Sequence, residues 1–196
     1  MKKLKKLSPA NHCDSCDAEL DTKRRFCDER CKEIELCKSI GTAKYRNKFV
    51  APAFQAMVRA EAGAMPDGVS LAVLNGVRHY IPRRLGQCVC ITCGGVHPWK
   101  GSNMLDSGHF CSRKDQGVLF DPQNCHPQCK NCNKYGNGKP QEYRLWMETV
   151  YGIETIERLE TTKRQSIAFT RDELVDKRIE YSRRLKAAEL KMKAGS

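Results

Sequence analysis

Two pairs of cysteines frame the residues of this sequence whose types could do chemistry. Cys90 and Cys93 form one Cys-x2-Cys, and Cys129 and Cys132 form another. Two thiolates at that spacing can bite one ion, and two such knuckles complete a closed tetrahedral zinc site. The 35 residues between the pairs, 94 to 128, exceed the commonest finger spacing, so an insert sits between the knuckles. That insert carries Asp106-Ser-Gly-His109, Asn124 and His126, and Asn133 follows the last cysteine. A second set, Cys13-x2-Cys16 and Cys27-x3-Cys31, has the spacing of another structural zinc site. The arrangement predicts zinc fixing the ends of a hairpin that presents Asp106 and His109.

These motifs resemble the HNH (His-Me finger) nuclease core, in which a strand ends in the catalytic His, a loop carries an Asn and a helix carries the last metal ligand. Asp106-x-Gly-His109, His126-x-Gln-Cys129-x2-Cys132-Asn133 and the helical tail look more closely like the NinG/Rap recombination proteins of lambdoid phages. The placement of Asn133 also resembles the phage junction resolvase endonuclease VII. The likeness is good over roughly residues 88–190 and looser at the N-terminal cysteines. It implies an α+β fold: a small zinc-stabilised ββα-metal core with an N-terminal four-cysteine zinc finger and flanking helices. It also implies a structure-selective, metal-dependent DNA endonuclease of phage homologous recombination, hydrolysing phosphodiesters in Holliday junctions or D-loops. Recombination partner proteins fit the same expectation.

Phosphodiester hydrolysis needs an activated water, charge neutralisation at phosphorus and help for the departing oxygen. His109 is the candidate general base, since a neutral imidazole can take a proton near pH 7. By resemblance, Asn124 fixes the loop and orients His109 through an amide hydrogen bond. Asp106 and Asn133 are the candidate ligands of a catalytic Mg²⁺, with Mn²⁺ as a substitute. One carboxylate and one amide oxygen leave positions for water and phosphate. His126 is a third catalytic candidate, touching the scissile phosphate or capping a helix. The two zinc ions are structural, because a four-thiolate site has no open position. A lone Asp-x-Gly-His is more often a turn than an active site; here Asn124, the knuckles and Asn133 coincide with it. Two departures stand out: Gly108 occupies the place before the base where many such cores carry a metal ligand, and Asn133 replaces the usual last His. Cys37, Cys88, Cys111 and Cys125 are left over and are expected to be buried, and His12 is an alternative zinc ligand.

The chain has 196 residues and a net charge of +12, with a pI of about 9.2. That points to a polyanion partner, of which nucleic acid is the usual one. Eight zinc-bound thiolates and two Zn²⁺ would lower the charge to about +8 without changing its sign. Arg83, Arg84, Arg113, Lys114, Lys130 and Lys134 are the candidate DNA-binding residues. Twelve Cys would suit a secreted disulfide protein. The start, Met1-Lys-Lys-Leu-Lys-Lys-Leu7, however, lacks the apolar run of a signal peptide, and no window is long and apolar enough for a membrane span. Paired Cys in a reducing compartment read as metal sites, so the expected location is the cytoplasm, the host's if the chain is phage-encoded. Two nicks per junction make a homodimer plausible.

Four segments position these groups. Residues 1–38 are a basic arm, 1–8, and a four-cysteine finger, with a short helix from Glu29 to Cys37 carrying the fourth ligand. Residues 39–87 are a helical linker. The run Val69–Ile81 holds a hairpin signal at Asn75-Gly76, but the resemblance favours a helix there, and helix is the expectation. Residues 88–140 are the nuclease core, and 141–196 are C-terminal helices. Tyr143, Trp146, Met147, Val150 and Tyr151 share one helical face. Thr170 and Glu173 form a capping box, with Phe169 stapling onto Leu174, for a last helix running to about Lys191. Its few apolar residues (Val175, Ile179, Leu185) predict loose packing or protrusion. Two other readings remain: an HNH endonuclease of low structural selectivity, and a non-catalytic zinc-based DNA-binding adaptor, against which Asp106, His109 and Asn133 argue.

Overall fold

The computed structural model describes residues 12–20 and 25–195. The basic arm of residues 1–8 lies outside them. The fold is mixed α+β, and the chain divides into two compact units, one made of residues up to Val50 with Phe169–Ile179, the other of Ala51–Ala168 with Glu180–Ser196.

In the first unit the Cys13 N–H donates to Ala18 O and the Asp17 N–H to Cys13 O, closing a tight turn with Asp17 at φ 59°. Asp28 caps helix α1 (Glu29–Ile40), its side chain accepting from the Cys31 N–H at 2.7 Å. That cap sets Cys31 in the first helical turn, facing the other cysteines. Helix α2 (Thr42–Tyr45) runs into a π-helical turn, Arg46–Val50. Ile34, Cys37, Tyr45 and Val50 are buried, as are Leu174 and Val175 at the start of helix α6 (Arg171–Ala194). Arg30 bonds Asp176 at 2.8 Å and Asp172 at 3.2 Å.

Helix α6 starts where its capping box places it. The Thr170 N–H donates to Glu173 Oε2 at 2.8 Å and the Glu173 N–H to Thr170 Oγ1 at 3.2 Å. It does not protrude. Leu174, Tyr181 and Ala188 recur every seven residues and are buried, with Val175 and Met192 beside them. Counting only large aliphatics missed this stripe, because Tyr181 and Ala188 carry much of it. In the second unit Ala188 and Met192 pack on Ala60.

The second unit holds helix α3 (Ala51–Gly63), then three antiparallel strand pairs: β1 (Gly68–Leu74) with β2 (Val77–Arg83), β3 (Gln87–Val89) with β4 (Val96–Pro98), and β5 (Asp106–His109) with β6 (Cys125–Gln128). A π-helical turn, Asn131–Tyr135, leads to helices α4 (Pro140–Tyr151) and α5 (Ile153–Thr162). The helix expected over 69–81 is therefore a β-hairpin. Leu74 pairs with Val77 across Asn75 and Gly76, at φ 49° and 78°. A two-residue turn with both φ positive matches the twist of paired strands, and Asn-Gly takes it at least cost. The local turn chemistry prevails over the resemblance. The Val73 N–H donates to Ile91 O, which ties the hairpin to the first knuckle.

One core of this unit gathers Val73, Ile91, Cys111, Val118, Tyr143, Trp146, Met147, Ile156 and Leu159. The apolar stripe of α4 packs here through Tyr143, Trp146 and Met147, each stabilising by roughly 1.5–3 kcal/mol. Val150, at the far end, stays 43% exposed. Among the described residues no helix is long and apolar enough to cross a membrane.

Candidate functional site

The sulfurs of Cys13, Cys16, Cys27 and Cys31 lie within 4.8 Å of one another, as do those of Cys90, Cys93, Cys129 and Cys132. Close pairs stand at 3.4 Å (Cys27–Cys31), 3.6 Å (Cys16–Cys27) and 3.7 Å (Cys93–Cys129). Zn–S bonds of about 2.3 Å give tetrahedral edges of roughly 3.8 Å, so both clusters have the size of a zinc site. All twelve cysteines are free thiols. Cys37, Cys88, Cys111 and Cys125 are buried outside both clusters. His12 stands outside the N-terminal cluster, with Nδ1 3.6 Å from an Asp17 carboxylate oxygen.

The second cluster closes off a hairpin. Strand β5 pairs Asp106 with Gln128, Ser107 with Pro127, Gly108 with His126 and His109 with Cys125. Asp106, Ser107 and His109 line a polar cavity of about 590 Å³, with Gln55 and Arg59 from α3, Ser112 and Arg113 from the loop after β5, and Asn133, Lys134, Asn137 and Gly138 beyond the second knuckle. The Asn133 N–H donates to Cys129 O, so the knuckle itself sets this residue. Its Nδ2 then donates to Asp106 Oδ2 at 3.1 Å. Asn133, from beyond the second knuckle, thus shares one cavity with Asp106 and His109 of strand β5.

His109 is half-buried. Phe54 stands 6.3 Å away between ring centroids and packs in turn on Phe120 and Tyr181. Burial pushes the imidazole pKa down to about 4, the Arg113 charge adds to this, and backbone groups at Leu119 and Ser107 oppose it. His109 is therefore neutral at pH 7. Its Nδ1 lies 3.8 Å from Cys125 Sγ, and its buried Nε2 has no hydrogen-bond partner.

Gly108 has a steric reason. A Cβ there would stand 2.1 Å from Gln128 Oε1. Gln128 is fully buried and donates to Thr92 Oγ1 at 3.1 Å and to Gly138 O at 2.8 Å, joining the first knuckle to the segment after the second. From the other side, Tyr143 Oη donates to Gly108 O at 2.9 Å.

Three expectations about individual residues are corrected. His126 does not line the cavity. It pairs with Gly108 and sits in an aromatic nest, 4.6 Å from Trp146 and 5.4 Å from Tyr151, with Nε2 donating to Gln123 O at 3.0 Å. Asn124 fixes the loop but does not reach His109 with its amide. Its Oδ1 accepts from the Cys111 N–H at 2.7 Å, and Nδ2 donates to Cys111 O and Val118 O. Its link to the His109 strand is through the main chain, where the Phe110 N–H donates to Asn124 O. Arg83 is buried, bonding Ser70 Oγ at 2.7 Å and Met65 O at 2.8 Å, so it holds the β1–β2 hairpin and is not a free phosphate contact.

The family model for the bacteriophage lambda NinG protein matches residues 1–191. The chain belongs to the NinG family. Curated relatives include the ninG proteins of Salmonella phage P22, 29% identical over 111 residues, and of Escherichia phage lambda, 28% identical over 111 residues. Each alignment covers 56% of this chain and 52% of the relative. The ninG protein of Escherichia phage 933W is 30% identical over 86 residues, covering 43% of this chain and 41% of the relative. The chain thus spans about half the length of the curated relatives it matches. No solved structure matches it.

Of the basic residues singled out in this NinG family member, Arg113 and Lys134 are exposed and line the cavity. Lys114 and Arg84 are exposed outside its lining. Lys130 lines a separate pocket beside the second cluster, with Cys93, His97, Met104 and Cys129. Sequence reasoning missed Arg59, Gln55 and Ser107. Arg59 carried a signal: it is the one charge in the otherwise uncharged stretch Ala51–Ala60. A lone cation on a helix that must be buried needs a partner or a cavity.

Proposed function

We propose that this chain is a metal-dependent DNA endonuclease with an HNH-like core, acting on branched DNA in phage recombination. The observation that carries the reading is the meeting of Asp106, a neutral His109 and Asn133 on one polar cavity whose other side chains include three cations. Asp106 and Asn133 already touch, and each has an oxygen of the hard kind that Mg²⁺ takes. They would hold the ion, which when bound would neutralise phosphate charge and assist the departing oxygen. His109 accepts a proton from the attacking water, since its imidazole is unprotonated at working pH. Arg113 and Lys134, exposed at the cavity, attract the DNA backbone. Branch preference rests wholly on the family resemblance; the basic charge points only to a polyanion partner.

The test is cleavage of supercoiled plasmid and of a four-way junction by zinc-loaded protein, with Mg²⁺ supplied or omitted. Cutting should require Mg²⁺. His109→Ala should lower the rate by roughly 10²–10⁴-fold while junction affinity stays within about threefold. A His109→Ala protein that cuts at the wild-type rate would refute the assignment of the base.

A further inference from the structure

We propose that Arg59 is a catalytic residue whose guanidinium binds an anionic oxygen of the scissile phosphate. The inference rests on the nuclease reading for its substrate and on the geometry for its chemistry. Arg59 projects from α3 into the cavity that holds Asp106 and His109. Its Nη1 donates to Ser107 Oγ at 3.2 Å, and that hydroxyl donates to Gln55 O at 2.8 Å. Ser107 is buried, and Gln55 lies one turn before Arg59 on the same helix. The guanidinium is therefore aimed by a relay anchored on its own helix and on the strand between the two candidate reacting groups.

One side of that guanidinium is unsatisfied. Nε is buried and has no hydrogen-bond partner. Asp106 lies near enough to favour the cation, but no ion pair joins the two. Burial weighs against the charge more than Asp106 supports it. A desolvated arginine without a carboxylate is costly unless an anion completes its shell. The cavity supplies room for one. A guanidinium also matches the fork of two phosphate oxygens better than a point charge does. Arg113 and Lys134 on the same cavity are exposed and have no such relay, which suits docking. Arg59 is placed for the charge that develops at phosphorus.

Two measurements on full-length, zinc-loaded protein test this. In single-turnover cleavage of a four-way junction, Arg59→Gln should lower the rate by roughly 10²–10³-fold, the usual loss on removing one oxyanion donor, while the junction Kd moves less than about threefold. Arg59→Lys, which keeps the charge and loses the fork, should recover part of the rate. It also decides the matter if the Gln variant does not fold. Separately, without DNA or Mg²⁺, inorganic phosphate should raise the thermal unfolding temperature of the wild type beyond the effect of equal chloride, and this excess should vanish in Arg59→Gln. A folded Arg59→Gln protein that cuts within threefold of wild type, or an equal phosphate response in both proteins, overturns the proposal. A wild type that cuts no DNA overturns the nuclease reading and the catalytic role with it. A phosphate response confined to the wild type would still support the anion site.

Discussion

His109 and His126 stand one register apart on the same hairpin, and burial lowers both to about 4. They differ in what they face, one a polar cavity and the other an aromatic nest. For His126 the consequence is for stability. An unfolded His titrates near 6.5, so between about pH 6.5 and 4 the unfolded chain binds more protons than the folded one. Stability is fully present above about pH 6.5 and falls as pH drops. The loss from this residue between pH 7 and 5 is about 2 kcal/mol. Urea unfolding of the wild type and of His126→Phe at several pH values checks it, because zinc release and His109 act alike in both proteins. Identical pH slopes would show that His126 is not held neutral by the fold. Gly108→Ala is the companion prediction. Its Cβ would collide with the Gln128 side chain, and overpacking of this kind costs about 1–3 kcal/mol, read as a lower urea midpoint.

At the scale of elements, the four-residue strands that border the polar cavity are too short to stand alone. The β5–β6 hairpin is held by the second cysteine cluster, the Gln128 bridge and Tyr143. Native mass spectrometry should find two zinc ions per chain. Converting Cys129 to Ser should remove one of them and broaden the near-UV tryptophan spectrum, since Trp99 packs on this cluster and Trp146 on the hairpin beside it; retention of both ions would contradict the assignment. The two cysteine sets were legible from spacing because metal chelation imposes a short loop. The α6 start was legible because capping is local chemistry. The Val69–Ile81 hairpin follows the local turn chemistry of Asn75-Gly76, which outweighs a remote likeness to a helix. The lone charge of Arg59 in Ala51–Ala60 marked it as unusual, but its cavity and the nest around His126 were not legible, because both depend on which face of one element meets another.

Over the whole molecule the positive charge survives any zinc loading, and the described surface carries exposed cations at Arg84, Arg113, Lys114, Lys130 and Lys134. Linear-duplex binding should therefore be mainly electrostatic. Log affinity should fall with log salt by roughly 0.9 per phosphate neutralised, and a flat response would point to another mode of recognition. Branched DNA should compete better than linear duplex of equal length, since contacts on two arms reinforce each other only when geometry lets both engage. Equal affinity and equal cutting of the two would leave a nuclease of low structural selectivity.

The bridge made by Gln128 has a further consequence, for how such a chain can change over generations. Its amide fills the space that a side chain at 108 would need. A single exchange giving position 108 a carboxylate, directly before His109, would collide with the Gln128 side chain that joins the two knuckles. A smaller side chain at position 128 would relieve that collision. One buried amide thus couples what residue 108 can be to what residue 128 is.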